Sequence, residues 1–209
     1  MNMQILPLAI TMMAGPQIMS AIIFITARKP LKLSAAFVVG AAIGCTVGLA
    51  ITFTLASLLG NSVSLGDPSD SGSIGHIIQY LLVGLLVFLA IKNFVRRETI
   101  EPPGWLGTLQ NAKPGTAFWT GLLLLSVFPS DFIILVTVGV NLAQNDASFL
   151  SALPFLALTV FIAALPVLFF LVFHRRAQQM MPKVRNWMNT NSWLVNIIVY
   201  VIFIWLILG

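Results

Sequence analysis

Long apolar runs alternate with short polar connections along this 209-residue chain, and a helix that spans a bilayer needs about 20 such residues. The runs predict helices at Met3–Thr26, Leu33–Leu59, Ile74–Val95, Thr116–Asn141, Ser148–Phe173 and Ser192–Leu208. The charges between them are sorted by sign. Arg28, Lys29 and Lys32 follow the first run. Lys92, Arg96, Arg97 and Lys113 lie at or beyond the end of the third, and Arg175, Arg176, Lys183 and Arg185 follow the fifth. The connections after the second and fourth runs carry acids only, Asp67 and Asp70, then Asp146. Short loops bearing Lys and Arg stay on the cytoplasmic side. The alternation therefore predicts an all-α, multi-pass protein of the plasma membrane, with six transmembrane helices and both termini outside.

The whole chain, 1–209, reads as a single transmembrane domain of two halves. The first repeat covers about 3–95 and the second about 116–209. Between them a cytoplasmic hinge, about 96–115, contains Pro102, Pro103, Gly104 and Pro114. Three crossings reverse the chain, so two related three-helix units must form an inverted repeat, a common plan in secondary transporters. Gly15-Pro16-Gln17 in the first helix and Phe128-Pro129-Ser130-Asp131 in the fourth set a proline at matching depth in each half. Helix two carries Gly40, Gly44 and Gly48, a small-residue stripe whose expected role is close helix packing. The external loop from Gly60 to Ser73 reads as solvated. Past the fifth run, Met180, Val184, Trp187 and Met188 fall at helical spacing among cations. Pro182 is expected to open a short helix there, lying in the cytoplasmic interface with Trp187 at headgroup depth.

Composition narrows the chemistry. With 58% apolar and 8% charged residues, against about 25% charged in a soluble domain, the formal charge of +5 is topological. It suits anionic lipid headgroups, and no nucleic-acid partner is expected. Cys45 is the only cysteine, which leaves no disulfide or thiol relay. His76 and His174 fall at helix ends, no histidines or carboxylates have metal-ligand spacing, and there is no P-loop. No enzyme activity, metal or cofactor is expected.

Asp131 is the one acid inside an apolar run. Burying Asp at mid-membrane costs about 2.5–3.5 kcal/mol on insertion scales, and such residues commonly face a polar cavity or pathway. Pro129 removes a helical amide just before it, so Ser130 and Asp131 form a candidate substrate- or ion-binding point. The competing readings are a side chain hydrogen-bonded to a neighbouring helix, or one lying nearer the surface. Gly15 and Pro16 with Pro129 are candidate helix breaks and gates. If the repeat holds, Gln17 lies across from Asp131 and shares the binding site. Pro154 and Pro166 are expected to permit curvature in helix five. Thr11, Ser20, Thr46, Thr52, Thr54, Ser126 and Thr137 either line a path or bond the carbonyls of the preceding turn.

The stretch A-G-P-Q-I-M-S-A-I-I-F-I-T-A-R-K-P-L-K, running into a glycine-striped second helix, resembles the opening of the lysine-exporter (LysE) superfamily. F-P-S-D-F-I-I-L-V-T-V-G-V-N-L-A and R-R-A-Q-Q-M-M-P-K-V-R-N-W-M-N-T-N-S-W are similar to its GAP/Sap branch, proteins named for addressing glycolipids and sulfolipids to the cell surface. The resemblance implies a six-helix inverted-repeat exporter or transport accessory, often dimeric, with motif positions at Gly15, Pro16, Pro129 and Asp131. It also implies membrane lipids as partners and a glycolipid or small polar solute as substrate. Two departures matter. Phe128 stands where the wider superfamily has Asn before the proline, which argues against amino-acid export. The Glu-x-Gly-Asp-type motifs of cation-exchanging relatives are absent, which argues against divalent metals. The expected function is outward transport by alternating access; a non-transporting scaffold for a separate lipid-export machine is the alternative.

Overall fold

The computed structural model describes residues 5–59 and 108–191, with scattered helical positions in 83–95 and 193–204. The predicted spans Ile74–Val95 and Ser192–Leu208, most of the hinge, the Gly60–Ser73 loop and His76 lie wholly or largely outside the described residues. Among the described residues every regular element is helical: α1 (Leu6–Met13), α2 (Pro16–Ile25), α3 (Pro30–Leu59), α4 (Pro114–Ser126), α5 (Pro129–Gln144), α6 (Leu153–Val172) and α7 (His174–Thr190). Short 3-10 turns at Leu109–Asn111 and Phe149–Ala152 precede α4 and α6.

Among the described residues two helices are long and apolar enough to cross a membrane, Pro30–Leu58 and Phe149–Val172. Two more crossings exist if each bent pair counts as one span: α1 with α2, bent by 61°, and α4 with α5, bent by 55°. These apolar helices mark a membrane protein. The expected runs Met3–Thr26 and Thr116–Asn141 are each two helices, divided at the candidate breaks Gly15-Pro16 and Pro129. Proline is the reason in both, because it opens α2 and α5 at the first helical position, where its missing N–H is harmless. None of the four halves exceeds 16 residues, short of the roughly 20 that a crossing needs. Each pair together reaches that length.

Two other expectations fail on proline position. Pro154 sits in the first turn of α6 rather than curving its middle; only Pro166 lies inside that helix. Pro182 does not open the segment after α6. That helix starts at His174, directly after the non-helical Phe173 (φ −121°, ψ 49°), and runs through Pro182 to Thr190.

The straight α3 backs the bent pair. A methyl group on Gly40 would overlap the Phe118 carbonyl oxygen, on Gly44 the Leu122 carbonyl, and on Gly48 the Leu135 side chain at 2.6 Å. The contact numbers rise together, so α3 and α4 run parallel. Gly121 and Gly139 reciprocate, their missing side chains admitting the α3 backbone at Phe37 and Phe53. The packing role expected for the α3 stripe is observed, and it is specific to the α4–α5 span.

The fold sorts charge by end. Ile25 at the close of α2 packs with Phe170 of α6 and Ala177 of α7. At this same end lie the α2–α3 turn with Arg28 and Lys29, Lys32 in the first turn of α3, the start of α4 after Lys113, and α7 with Arg175, Arg176 and Lys183. At the opposite end the Phe53 ring meets Phe149, with centroids 6.0 Å apart, close along the chain to Asp146. Between the ends, one core joins Met12, Phe24, Phe37, Leu49, Leu135 and Phe155, all fully buried.

Candidate functional site

Both breaks are built by local chemistry. Gly15 adopts φ 109° and ψ −139°, a conformation that side chains other than glycine's strongly disfavour. It turns the chain between α1 and α2 while its carbonyl accepts from the Met19 N–H at 3.2 Å. In the second break the amides of Val127 and Phe128 both donate to the Leu123 carbonyl, at 3.0 and 3.2 Å. Those of Asp131 and Phe132 both donate to the Phe128 carbonyl, at 3.0 and 2.8 Å. The helix therefore ends and restarts around Val127 and Phe128 with its polar backbone largely paired internally, as a hydrocarbon setting demands.

Gln17 lies in the first turn of α2 and Asp131 in the first turn of α5. The Gln17 amide Nε2 donates to Asp131 Oδ2 at 2.6 Å. Ser130 Oγ donates to Asp131 Oδ1 at 3.1 Å. Gln17 is 0% and Asp131 1% exposed, so this bond joins the two broken spans in the interior. It also brings Pro16 and Pro129 near one another, since each is within two residues of a bond partner. A carboxyl group in the first turn faces the positive end of the α5 dipole. No Lys, Arg or His is among its described hydrogen-bond partners. The Gln17 Oε1 atom is buried with no described partner.

The chemistry of the point follows. A carboxyl group and an amide oxygen without a described partner are both acceptors buried in a low-dielectric interior, where an unsatisfied acceptor is costly. A proton, a hydroxyl or another donor relieves that cost. An anionic group would meet the Asp131 carboxylate, which already occupies the helix N-terminus. Among the described residues no cluster of three His, Cys, Asp or Glu side chains could hold a metal ion.

The six candidate residues thus fall into two groups that meet: Gly15, Pro16 and Gln17 at one break, Pro129, Ser130 and Asp131 at the other. The hydroxyl residues resolve differently. Thr11, Ser20, Thr46, Thr54, Ser126 and Thr137 donate to carbonyls one turn back in their own helices. Thr52 alone of these also reaches across, donating to the Leu135 carbonyl of α5 at 2.9 Å. Gly121 holds α4 and Gly139 holds α5 against α3, and neither is among the residues that the sequence pattern points to. Their signal is faint, since the two glycines lie on different halves of a broken helix. Cys45 is buried against Met12, with sulfurs 3.9 Å apart, and fastens α1 to α3.

A family profile described as Sap, sulfolipid-1-addressing protein, matches residues 5–209. No curated protein and no solved structure matches the chain.

Proposed function

We propose, for a chain that belongs to the sulfolipid-1-addressing protein (Sap) family, a LysE-type exporter of the plasma membrane that moves a lipid-linked or small polar solute outward. In this reading six spans form two inverted repeats with both termini outside. The bent pairs α1–α2 and α4–α5 are the moving parts, and Gly15, Pro16 and Pro129 are their hinges. The chain has no catalytic step and works as a homodimer. The family description points to lipid addressing. The observation that carries transport is the buried Gln17–Asp131 bond, which couples two broken spans at their breaks. Discontinuous helices with half-helix N-termini turned towards a site are a recurring transporter arrangement.

The site chemistry selects which part of a substrate it touches. Asp131 and the free Gln17 Oε1 accept hydrogen bonds, so they suit a hydroxyl-rich headgroup or a proton. They do not suit a sulfate. Exchange of the Gln17–Asp131 bond for bonds to substrate would release one span from the other, the step that alternating access requires.

Purified protein in liposomes tests this. Wild type is expected to speed the movement of a fluorescent glycolipid between leaflets, and Asp131→Ala to abolish it. Failure of the wild-type protein to move any lipid or solute without partners would overturn the exporter and leave a scaffold. Orientation is checked separately. A reporter active only in the cytoplasm is expected to be silent at the C-terminus and strong after Arg97; the reverse pattern would refute the topology.

A further inference from the structure

Helix α7 carries a surface that the bent spans do not use. Its buried side is Ala177, with Met181 and Val184 partly covered against the bundle. At about 100° per residue, Arg176, Met180, Lys183 and Trp187 form a separate stripe within about 60° of one another. All four are exposed, Met180 at 48% and Trp187 at 50%. Cation, apolar side chain, cation and indole thus alternate along one flank, about a quarter-turn from the buried side. Arg175, also exposed, points away from it, about 100° around the helix.

A flank of this composition fits a bilayer surface. Laid on such a surface, Met180 would reach the acyl boundary, the indole headgroup depth and the two cations the phosphates. The stripe also begins at the membrane end of the bundle, because α7 follows the apolar α6 after a single residue. The Arg28–Lys32 turn is held nearby by the Ile25–Ala177 contact, which adds positive potential and no acid. We infer that the α7 flank Arg176–Met180–Lys183–Trp187 is a binding surface for the headgroups of anionic phospholipids in the adjoining leaflet. This inference does not rest on the exporter reading.

The test uses full-length protein in nanodiscs that mix phosphatidylglycerol and phosphatidylcholine, with the lipids retained on release measured by native mass spectrometry. Wild type is expected to retain phosphatidylglycerol preferentially. Each cation near an anionic surface is worth roughly a fivefold factor, so Arg176→Gln/Lys183→Gln should lower the preference by roughly 25-fold. Arg175→Gln/Lys113→Gln removes equal charge away from the stripe and should keep most of it. Met180→Ala/Trp187→Ala should weaken retention with no charge change, since the apolar pair holds the lipid and not a free phosphate. All the substituted side chains are exposed, and circular dichroism checks that each variant is folded. Equal retention of the two lipids by wild type overturns the inference. So does an equal loss in the two charge variants, which would reduce the effect to net charge.

Discussion

Replacing Asp131 isolates the bond between the two breaks. In Asp131→Ala, Gln17 Nε2 loses its acceptor 2.6 Å away and Ser130 Oγ loses its own at 3.1 Å. Gln17 is fully buried and its Oε1 is already unpartnered, so both ends of the amide would then be unsatisfied. An interhelical side-chain bond in a membrane protein is worth about 0.6 kcal/mol on average and about 1.7 at most. Leaving a buried donor unpaired costs about 1–3 kcal/mol. The insertion penalty of Asp does not offset this, because the separated spans in the bilayer carry it too. Asp131→Ala is therefore expected to lower stability by about 1–3 kcal/mol. Asp131→Asn keeps an acceptor for Gln17 and adds a donor, which a rotated Gln17 Oε1 can take, so the loss should stay below about 1 kcal/mol. Thermal unfolding of the purified protein measures both. A double-mutant cycle with Gln17→Ala should return a coupling of about 0.6–1.7 kcal/mol. Coupling near zero, or an Asn variant as weak as the Ala variant, would refute the idea that this bond fastens the two spans. In transport, Asn removes titration while the fold survives, so any proton-coupled, pH-dependent component should vanish with it; unchanged pH dependence would take Asp131 out of proton coupling.

Gly44→Ala sets a methyl group against the Leu122 backbone carbonyl, which cannot move without parting α3 from α4. A loss of about 1–3 kcal/mol or more is expected. Gly115→Ala, with nothing within 4 Å, should leave the melting temperature unchanged or slightly raised, and equal effects at the two sites would contradict the packing described. Gly15→Ala has room, its nearest neighbour being Gln17 Oε1 at 3.4 Å, but the backbone at φ 109° should still cost about 1–3 kcal/mol. Its melting temperature should fall while Gly115→Ala does not, and a wild-type value would mean that the break does not need glycine.

The sequence alone carries whatever depends on solvent and local backbone geometry. Apolar runs of spanning length appear in it because a bilayer accepts little else. The sorting of Arg28, Lys29, Lys32, Arg175 and Arg176 to one end is equally visible, since charge cannot stay in hydrocarbon. The breaks are local too: Pro16 and Pro129 lack an amide wherever they stand, and a lone Asp131 beside one of them marks an unusual point. Tertiary structure decided the rest. The prolines fix where each span is interrupted, but not the size of the bends, 61° and 55°. The Gly40–Gly44–Gly48 stripe faces α4 and α5 because Gly121 and Gly139 answer it, a match between surfaces far apart in the chain. Pro154 and Pro182 depart from the pattern-based expectation because a proline's effect depends on its place in a helix whose start is set by the turn before it. Most hydroxyls settled on their own helices, whereas Thr52 found the Leu135 carbonyl only because α5 came within reach. The Gln17–Asp131 bond spans 114 residues of sequence. Matching prolines hinted at it; only the packing of two broken helices brought donor to acceptor.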